Sequence, residues 1–219
     1  MKLLLIRHGQ SVGNAADRIQ GLSDEPLTDL GRQQARALAY RLQAQQALSA
    51  LYTSPLLRAQ QTAEIIAAEM GLEVRVVDDL REYDCGAVTG MTWQDVQAHY
   101  PEIARRWAED SWRVPIPGEE GPEAFQRRVV AAMDGIVAAH DGAETVAVVA
   151  HGGTLSAYLA GLLEFDFRKR QPWVFANASL SMVMPRGLRP RVALLNDTCH
   201  LECDEGRLTL WRSWASESG

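Results

Sequence analysis

Two short apolar runs, each ending in a histidine and a glycine, constrain the fold of this chain more than any other feature. Residues 3–9 read LLLIRHG, and residues 146–152 read VAVVAHG. Continuous apolar runs of this length are typical of strands buried on both faces in a parallel sheet. Because ligands of open α/β sheets bind beyond the carboxyl ends of the strands, we expect His8 and His151 to meet in one pocket, with Arg7 beside His8.

The remaining elements follow from apolar periodicity and from capping residues. Thr28 should cap a helix, and Ser54 with Pro55 has the pattern of an N-cap followed by a first-turn proline, which places Arg58 in the first turn of the next helix. Gly71 should end that helix. Helices are predicted at about 28–46, 55–70, 125–140 and 154–163, and strands at 50–53, 74–77, 146–150, 179–184 and 191–195.

A segment rich in tryptophan interrupts this alternation. Residues 83–117 contain short helical patterns together with Trp93, Trp107 and Trp112, which could form a small local core or shape a leaving-group pocket. We therefore predict an α/β fold with three layers, α/β/α, and a mostly parallel central sheet. A small helical cap insertion at about residues 83–117 should belong to a single domain that spans residues 1–219.

Composition excludes several classes of function. Asp plus Glu exceeds Lys plus Arg by 28 to 22, and a net charge of −6 is unfavourable for a nucleic-acid partner. The apolar start is too short for a signal peptide, and no stretch reaches membrane-spanning length. The sparse cysteines indicate a reducing compartment. We expect a cytoplasmic monomer or homodimer with no nucleic-acid or membrane partner.

Two clusters could suggest additional sites. Cys199 and His200 with Cys203 offer only three soft ligands without a second pair, so no zinc site and no other cofactor is expected. The basic run at residues 168–170 is typical of a solvated face, although it could also attract phosphate at a pocket rim.

Five motifs, in order along nearly the whole chain, resemble the histidine phosphatase superfamily, which is also called the phosphoglycerate mutase-like superfamily. They are 7–11 (RHGQS) with Asn14; 20–21 (QG) with Asp24, 26–28 (PLT) and Gly31; 54–59 (SPLLRA) with 61–63 (QTA); 80–82 (LRE) with Gly86 and Gly90; and 150–153 (AHGG). The resemblance is closer to the phosphatase branch, and it implies a small phosphorylated metabolite as substrate. Many relatives have Trp-Glu-Gly where residues 88–90 read VTG, and Gly-Glu-Ser ahead of the long helix where residues 118–121 read GEEG; both departures bear on substrate preference.

These residue types suit phosphoryl transfer without a metal. The transferred phosphoryl group carries charge on three oxygens, which the guanidinium forks of Arg7 and Arg58 and the ring of His151 can neutralise. His8 is the candidate nucleophile, as neutral imidazole. Glu82 is the candidate general acid and base, and a nearby phosphate would favour its protonated form. The resemblance further implies phosphate or substrate contacts from Ser11, Asn14, Gln20, Gly21 and Gly152.

Some of these assignments have alternatives. Asp79, Asp84 or Glu120 could replace Glu82 as the acid, and Arg58 could instead cap its helix or pair with Glu64.

The function hypotheses share this pocket. The first is a metal-independent phosphomonoester hydrolase that works through phospho-His8. The second is a cofactor-dependent phosphoglycerate mutase with the same intermediate, in which Arg105, Arg106 or Arg113 could bind a carboxylate. The third is a non-catalytic protein that binds a phosphorylated ligand.

Overall fold

A single mixed sheet organises the chain. The computed structural model describes residues 1–45, 47–109, 114–169, 171–186 and 189–202; Trp112, Arg113, Arg170 and Cys203 lie outside these ranges. The strands of the described residues are β1 (Lys2–Arg7), β2 (Ala50–Thr53), β3 (Val74–Val76), β4 (Thr145–Ala150), β5 (Leu180–Met184) and β6 (Arg191–Asp197). Their order is β3-β2-β4-β1-β5-β6; the first four are mutually parallel, and β5 and β6 add an antiparallel edge.

Helices cover both faces of this sheet. They are α1 (Val12–Ala15), α2 (Asp29–Gln45), α3 (Leu57–Met70), α4 (Trp93–His99), α5 (Pro101–Glu109), α6 (Pro122–Ala138) and α7 (Gly152–Leu162). One core cluster joins α6 and α7 to one face of the sheet, and a second joins α2 and α3 to the other face. The predicted three-layer α/β/α class, with a mostly parallel sheet, is therefore confirmed.

Local sequence signals explain most element ends. The Thr28 hydroxyl accepts the Gly31 N–H at 3.0 Å and so caps α2, and Gly71, with φ of 64°, ends α3 in the left-handed conformation. The Ser54 prediction was wrong. Leu56 has extended backbone (φ −75°, ψ 136°), so α3 begins only at Leu57, and Ser54 makes a short turn by accepting the Leu56 N–H at 3.3 Å.

The segment that contains α4 and α5 has its own small core. Val88, Val96, Ala104 and Ile116 are buried together, and Trp107 packs against them while it stacks on Trp93 with ring centroids 5.9 Å apart. Two backbone hydrogen bonds attach this segment to the chain that follows His8. The Ile19 N–H donates to the Met91 carbonyl, and the Gly90 N–H donates to the Ile19 carbonyl. The limits of the cap insertion, 83–117, remain a prediction.

The parallel pairing of β1 with β4 brings the two His-Gly pairs together. Arg7 lies opposite Ala150 in the register, so both strands end at the same level and their next residues are His8 and His151. The His8 N–H donates to the Ala150 carbonyl at 3.0 Å, which continues the ladder by one residue. Among the described residues, no helix is long and apolar enough to cross a bilayer.

Candidate active site

The backbone carbonyl of the next residue, Gly9, holds His8 in one tautomer. The side chain is only 2% exposed, and its Nδ1 lies 2.7 Å from the carbonyl oxygen of Gly9. Because a carbonyl can only accept, Nδ1 carries the proton and Nε2 keeps its lone pair. The neighbouring backbone is also fixed, since the His8 carbonyl accepts the Ala178 N–H at 3.0 Å and the Asn177 amide at 3.2 Å. This geometry leaves Nε2 as the nucleophilic atom.

The surroundings of His8 favour its neutral form. Burial lowers its pKa well below the ordinary value of 6.5, and the positive charges of Arg58 and Arg7 lower it further, while the hydrogen bond to Gly9 opposes them. A buried imidazole beside two cations is costly to protonate. The ring therefore stays neutral at neutral pH, with its one proton on Nδ1.

His151 is fully buried beside His8, and Ser54 determines its tautomer. The ring centroids of the two histidines are 5.2 Å apart, and Nε2 of His151 lies 2.7 Å from the Ser54 hydroxyl. Among the described residues, Nε2 is the one acceptor in contact with the proton of that hydroxyl, which itself accepts the Leu56 N–H; we therefore assign the hydroxyl proton to a bond with Nε2, which leaves the proton of His151 on Nδ1. Nδ1 is buried with no partner among the described residues. Burial, and then the charges of Arg58, His8 and Arg7, lower the pKa of His151 well below 6.5.

Arg58 reaches the site from the first turn of α3 and is almost fully buried, at 1% exposure. Its guanidinium donates to the carbonyls of Ser23 and Gly21, the latter at 2.9 Å, whereas its Nε has no partner among the described residues. Burial lowers its pKa, and the charges of Glu82, Asp24 and Glu25 oppose that effect. These contacts, rather than a helix cap or an ion pair with Glu64, hold the side chain.

Arg7 is held from the opposite side, by the segment before β5. Its Nη1 donates to the carbonyl of Phe175, and its buried Nε has no partner among the described residues. Burial lowers the pKa of Arg7 to about 10, the charge of Glu82 opposes this, and Arg58 adds to it. Both arginines thus stay charged at neutral pH, and each keeps at least its Nε–H for a ligand.

The polar residues after His8 form a connected group. Ser11 caps α1 and is fully buried; its hydroxyl contacts Asn14 Oδ1 at 2.9 Å and Gln20 Oε1 at 2.6 Å. Asn14 Oδ1 also accepts from Asn177 at 3.0 Å. The side-chain oxygens of Asn14 and Gln20 are therefore occupied within the protein, which leaves their amide N–H groups for the cavity that both residues line. Ser11 lies behind these two residues and orients them.

Glu82 is placed between two backbone donors. Its Oε1 accepts the Tyr83 N–H at 2.7 Å, and its Oε2 accepts the Gly153 N–H at the start of α7 at 2.8 Å. The alternative acids are engaged elsewhere. Asp79 pairs with the exposed Arg81, Asp84 accepts the Gly86 N–H at 2.9 Å, and Glu120 forms an ion pair with Arg128 at 2.7 Å.

Most of these residues line one cavity of about 760 Å³. Of the predicted site residues, those that line it are Arg7, His8, Asn14, Gln20, Gly21, Arg58, Glu82 and Gly152. Ser11 and His151 are both 0% exposed and are not among its described lining residues, although the His151 ring adjoins that of His8. Its lining also includes apolar side chains: Ile19 from the chain that follows His8, Trp107 and Ile116 from the cap, and Trp173 and Phe175 from the segment before β5. Trp107 therefore contributes both to the cap core and to the cavity.

The other clusters take no part in the described cavity. Within the described ranges, no group of three His, Cys, Asp or Glu side chains is arranged to hold a metal. The two ring nitrogens of His200 contact Arg41 and the Ala178 carbonyl. On the surface, Arg168 pairs with Asp166.

Three contributors were missed by sequence reasoning. Ser54 was interpreted only as a helix cap, although its position at the carboxyl end of a strand indicated the ligand side. Asn177, which bridges His8 and Asn14, and the backbone carbonyl of Phe175, which holds Arg7, come from an irregular segment without a local pattern.

The arrangement as a whole is suited to a phosphoryl group. Three buried donors without partners among the described residues, Arg7 Nε, Arg58 Nε and His151 Nδ1, accompany the free lone pair of His8. Buried donors are normally satisfied, and a phosphate offers three strong acceptor oxygens. A buried histidine with a free ring lone pair beside two buried arginines is the arrangement expected of a phosphoryl-transfer enzyme.

Comparison with known proteins identifies the family. A model of the histidine phosphatase superfamily (branch 1) matches residues 3–198, and the chain belongs to this family. Phosphoserine phosphatase 1 of Hydrogenobacter thermophilus is 36% identical over 92% of this chain and 94% of its own length. Phosphoglycerate mutase-like protein 4 of Arabidopsis thaliana is 39% identical over 70% of this chain and 67% of its own length.

A solved structure agrees with this assignment. Mycobacterial glucosyl-3-phosphoglycerate phosphatase superposes with a TM-score of 0.77 at 31% identity, covering 89% of this chain and 98% of its own. Taken with the family match, these similarities support a hydrolase of the histidine phosphatase type. The identities of the residues that act in catalysis are the subject of the proposal below.

The lowered pKa of His151 should make stability depend on pH. Below pH 6.5 the unfolded chain binds a proton at this ring and the folded chain does not, so the free energy of unfolding should fall as pH decreases from 6.5. One such histidine contributes a slope of about 1.4 kcal/mol per pH unit. Denaturant titrations between pH 7 and 5 should show a shallower fall for His151→Gln than for the wild type. Parallel curves would contradict the lowered pKa.

The close approach of Gly153 to Glu82 predicts a specific sensitivity. A Cβ on Gly153 would lie 2.3 Å from Glu82 Oε1, so Gly153→Ala should displace the carboxylate. We expect about a tenfold or greater loss of kcat/KM toward alkyl phosphates. Gly135→Ala on α6, where a Cβ meets nothing within 4 Å, is the control and should retain activity. Wild-type kinetics for Gly153→Ala would show that the position of Glu82 is unimportant.

Proposed function

We propose that the protein is a metal-independent phosphomonoesterase that works through a phosphohistidine at His8. The observation that carries this proposal is a set of three buried donors beside the free Nε2 of His8. They are Arg7 Nε, Arg58 Nε and His151 Nδ1, and none has a partner among the described residues. The donors suit the non-bridging oxygens of a phosphate, and the lone pair suits attack on its phosphorus. Fixed positive charge from Arg7 and Arg58 supplies the stabilisation that a metal supplies in other phosphatases.

In the first step, Nε2 of His8 forms a bond to phosphorus as the bond from phosphorus to the leaving oxygen breaks. Glu82, in its protonated form, gives its proton to that oxygen, so that an alcohol leaves rather than an alkoxide. The ring gains positive charge as the bond forms, and the hydrogen bond from Nδ1 to the Gly9 carbonyl stabilises that charge. The arginine Nε groups and His151 Nδ1 bind the phosphoryl oxygens throughout.

In the second step, water attacks the phosphorus of phospho-His8. Glu82, now a carboxylate, takes a proton from that water as the new phosphorus–oxygen bond forms and the phosphorus–nitrogen bond breaks. Inorganic phosphate leaves, Nε2 regains its lone pair, and Glu82 is protonated again. Division of the transfer into two displacements lets the same donors serve both transition states.

The surroundings of the cavity favour hydrolysis over the mutase alternative. A mutase must bind the carboxylate of its substrate, for which Arg105, Arg106 and Arg113 were candidates; Arg113 lies outside the described residues. Arg105 instead pairs with Glu102 and Glu109 on the exposed face of α5, and neither arginine is among the described lining residues. The apolar outer part of the cavity suits the leaving group of a small phosphorylated metabolite. An intact nucleophile and acid argue against a purely binding function.

The nucleophile assignment predicts activity that survives metal chelation and depends on His8. Wild-type protein should hydrolyse para-nitrophenyl phosphate in EDTA, and His8→Ala should lose at least about a thousandfold in kcat while it keeps its fold. Quenching of the wild type in alkaline detergent during turnover of a ³²P-labelled substrate should trap a phosphoprotein that is stable in base and labile in acid, and the variant should lack it. Near-normal turnover by the variant would overturn the assignment, and isomerisation of phosphoglycerate faster than hydrolysis would favour the mutase.

The acid assignment predicts a dependence on the leaving group. Glu82→Gln should lower kcat/KM for alkyl phosphates by about 100- to 10,000-fold, because an alkoxide needs a proton to leave. The loss on para-nitrophenyl phosphate should be much smaller, since nitrophenolate leaves without one. Equal losses on the two substrates, measured beside a control variant of the exposed Glu64 on α3, Glu64→Gln, would contradict a general acid at residue 82.

A further inference from the structure

Arg128 of α6 has every side-chain donor engaged, and all its partners surround Glu82. Its Nε and Nη2 donate to the two carboxylate oxygens of Glu120 at 2.9 and 2.7 Å. Its Nη1 donates to the carbonyls of Asp79 and Arg81 at 2.8 and 2.9 Å, and its Nη2 donates also to the carbonyl of Glu82 at 2.9 Å. These bonds use all five N–H groups that a guanidinium has.

Glu120 extends this contact to the other side of Glu82. While it pairs with Arg128, its Oε1 also accepts the Asp84 N–H at 2.9 Å. The ion pair is mostly buried, with 12% and 17% of the side chains exposed, and the guanidinium lies 4.7 Å from the centre of the Phe125 ring. Arg128 and Glu120 thus bind the backbone both before and after Glu82.

Single side chains, rather than a regular ladder, hold the carbonyls of this segment, because residues 81–85 belong to neither a helix nor a strand. From α7, the Thr154 hydroxyl donates to the Arg81 carbonyl at 3.1 Å, and the Gly153 N–H donates to the Glu82 carboxylate. From α6, Arg128 donates to the Arg81 carbonyl as well and to the carbonyl of Glu82 itself. The position of Glu82 relative to α7 therefore depends in part on how firmly α6 holds this backbone.

We propose that Arg128, with Glu120 as its partner, is a positioning residue that fixes Glu82 at the leaving-group side of His8. The proposal rests on the proposed function, in which Glu82 is the general acid. Proton transfer needs heavy atoms within hydrogen-bond reach, and a displacement of about 1 Å can cost about a hundredfold in rate. Lysine cannot substitute, because an ammonium has three donors and cannot span a carboxylate and three carbonyls at once.

The chain offers a matched control in Arg127, which neighbours Arg128 on α6 and is exposed. Arg128→Gln, Arg128→Lys and Arg127→Gln should be compared on alkyl phosphates and on para-nitrophenyl phosphate. We expect both Arg128 variants to lose about 10- to 100-fold in kcat/KM on alkyl phosphates and less than about threefold on the aryl ester. Arg127→Gln should match the wild type on both substrates.

A merely structural role predicts a different result. Equal losses of Arg128→Gln on both substrates, or a lowered melting temperature with unchanged selectivity, would overturn the proposal. If Arg128→Gln fails to fold, Glu120→Gln gives the same test, because it removes the charge of the partner while it preserves the shape of the side chain. Selectivity like that of the wild type in a folded Glu120→Gln protein would also count against it.

The double variant Glu82→Gln/Arg128→Gln separates this inference from the proposed function. If Arg128 acts through Glu82, adding Arg128→Gln to Glu82→Gln should change alkyl phosphate hydrolysis by less than about threefold. A further loss as large as that in the single variant would overturn the positioning role. If Glu82→Gln alone shows no dependence on the leaving group, the proposed acid is wrong and the proposal for Arg128 falls with it. A selective effect of Glu82→Gln alone, without one from Arg128→Gln, refutes only the inference.

Discussion

The parallel pairing of β1 with β4 is the constraint on which the rest of the site depends. Arg7 lies opposite Ala150, so the next residue of each strand, His8 and His151, emerges at the same level of the sheet. A shift of one residue would turn the side chains of either strand to the opposite face. The side chains of both strands are buried in the two core clusters, and this packing holds the pair in its register. The packing of the core thereby sets a distance of 5.2 Å between the two imidazole rings.

Two buried cations give that juxtaposition its chemistry. Arg7 and Arg58 keep their charge because backbone carbonyls of Phe175, Ser23 and Gly21 accept part of their donors. Unpaired buried charge is expensive, and these carbonyls offset part of the cost while at least the Nε–H of each arginine remains for a ligand. Burial, reinforced by the charges of the two arginines, keeps both histidines neutral. A net charge of −6 thus coexists with a locally positive pocket that only an anion completes.

Sequence reasoning reached the elements and the charged residues, because both depend on local pattern. The apolar runs, the Thr28 cap and Gly71 determine element limits through interactions within a few residues, and they were predicted correctly. Ser54 was not, because whether its hydroxyl caps a helix or bonds His151 is decided by a residue 97 positions away. Asn177 and Arg128 likewise act only through contacts between distant segments. The periodicity of a sequence carries no information about such contacts, because they form only when the fold brings the distant segments together.

The proposed phosphoryl-binding residues and the apolar lining of the cavity come from different parts of the fold. The residues proposed to bind the phosphoryl group follow β1, β2 and β4 or begin their adjoining helices, where strand pairing fixes them within narrow limits. Residues that bound the outer cavity, such as Trp107 and Ile116, belong to the cap, whose small core is independent of the sheet. Glu82 lies at the boundary, in an irregular segment that must serve both parts. A rigid attachment of that segment to α6 would allow the cap to vary without displacing Glu82, and three of the five N–H groups of Arg128 make this attachment through backbone carbonyls, whose chemistry does not depend on residue type.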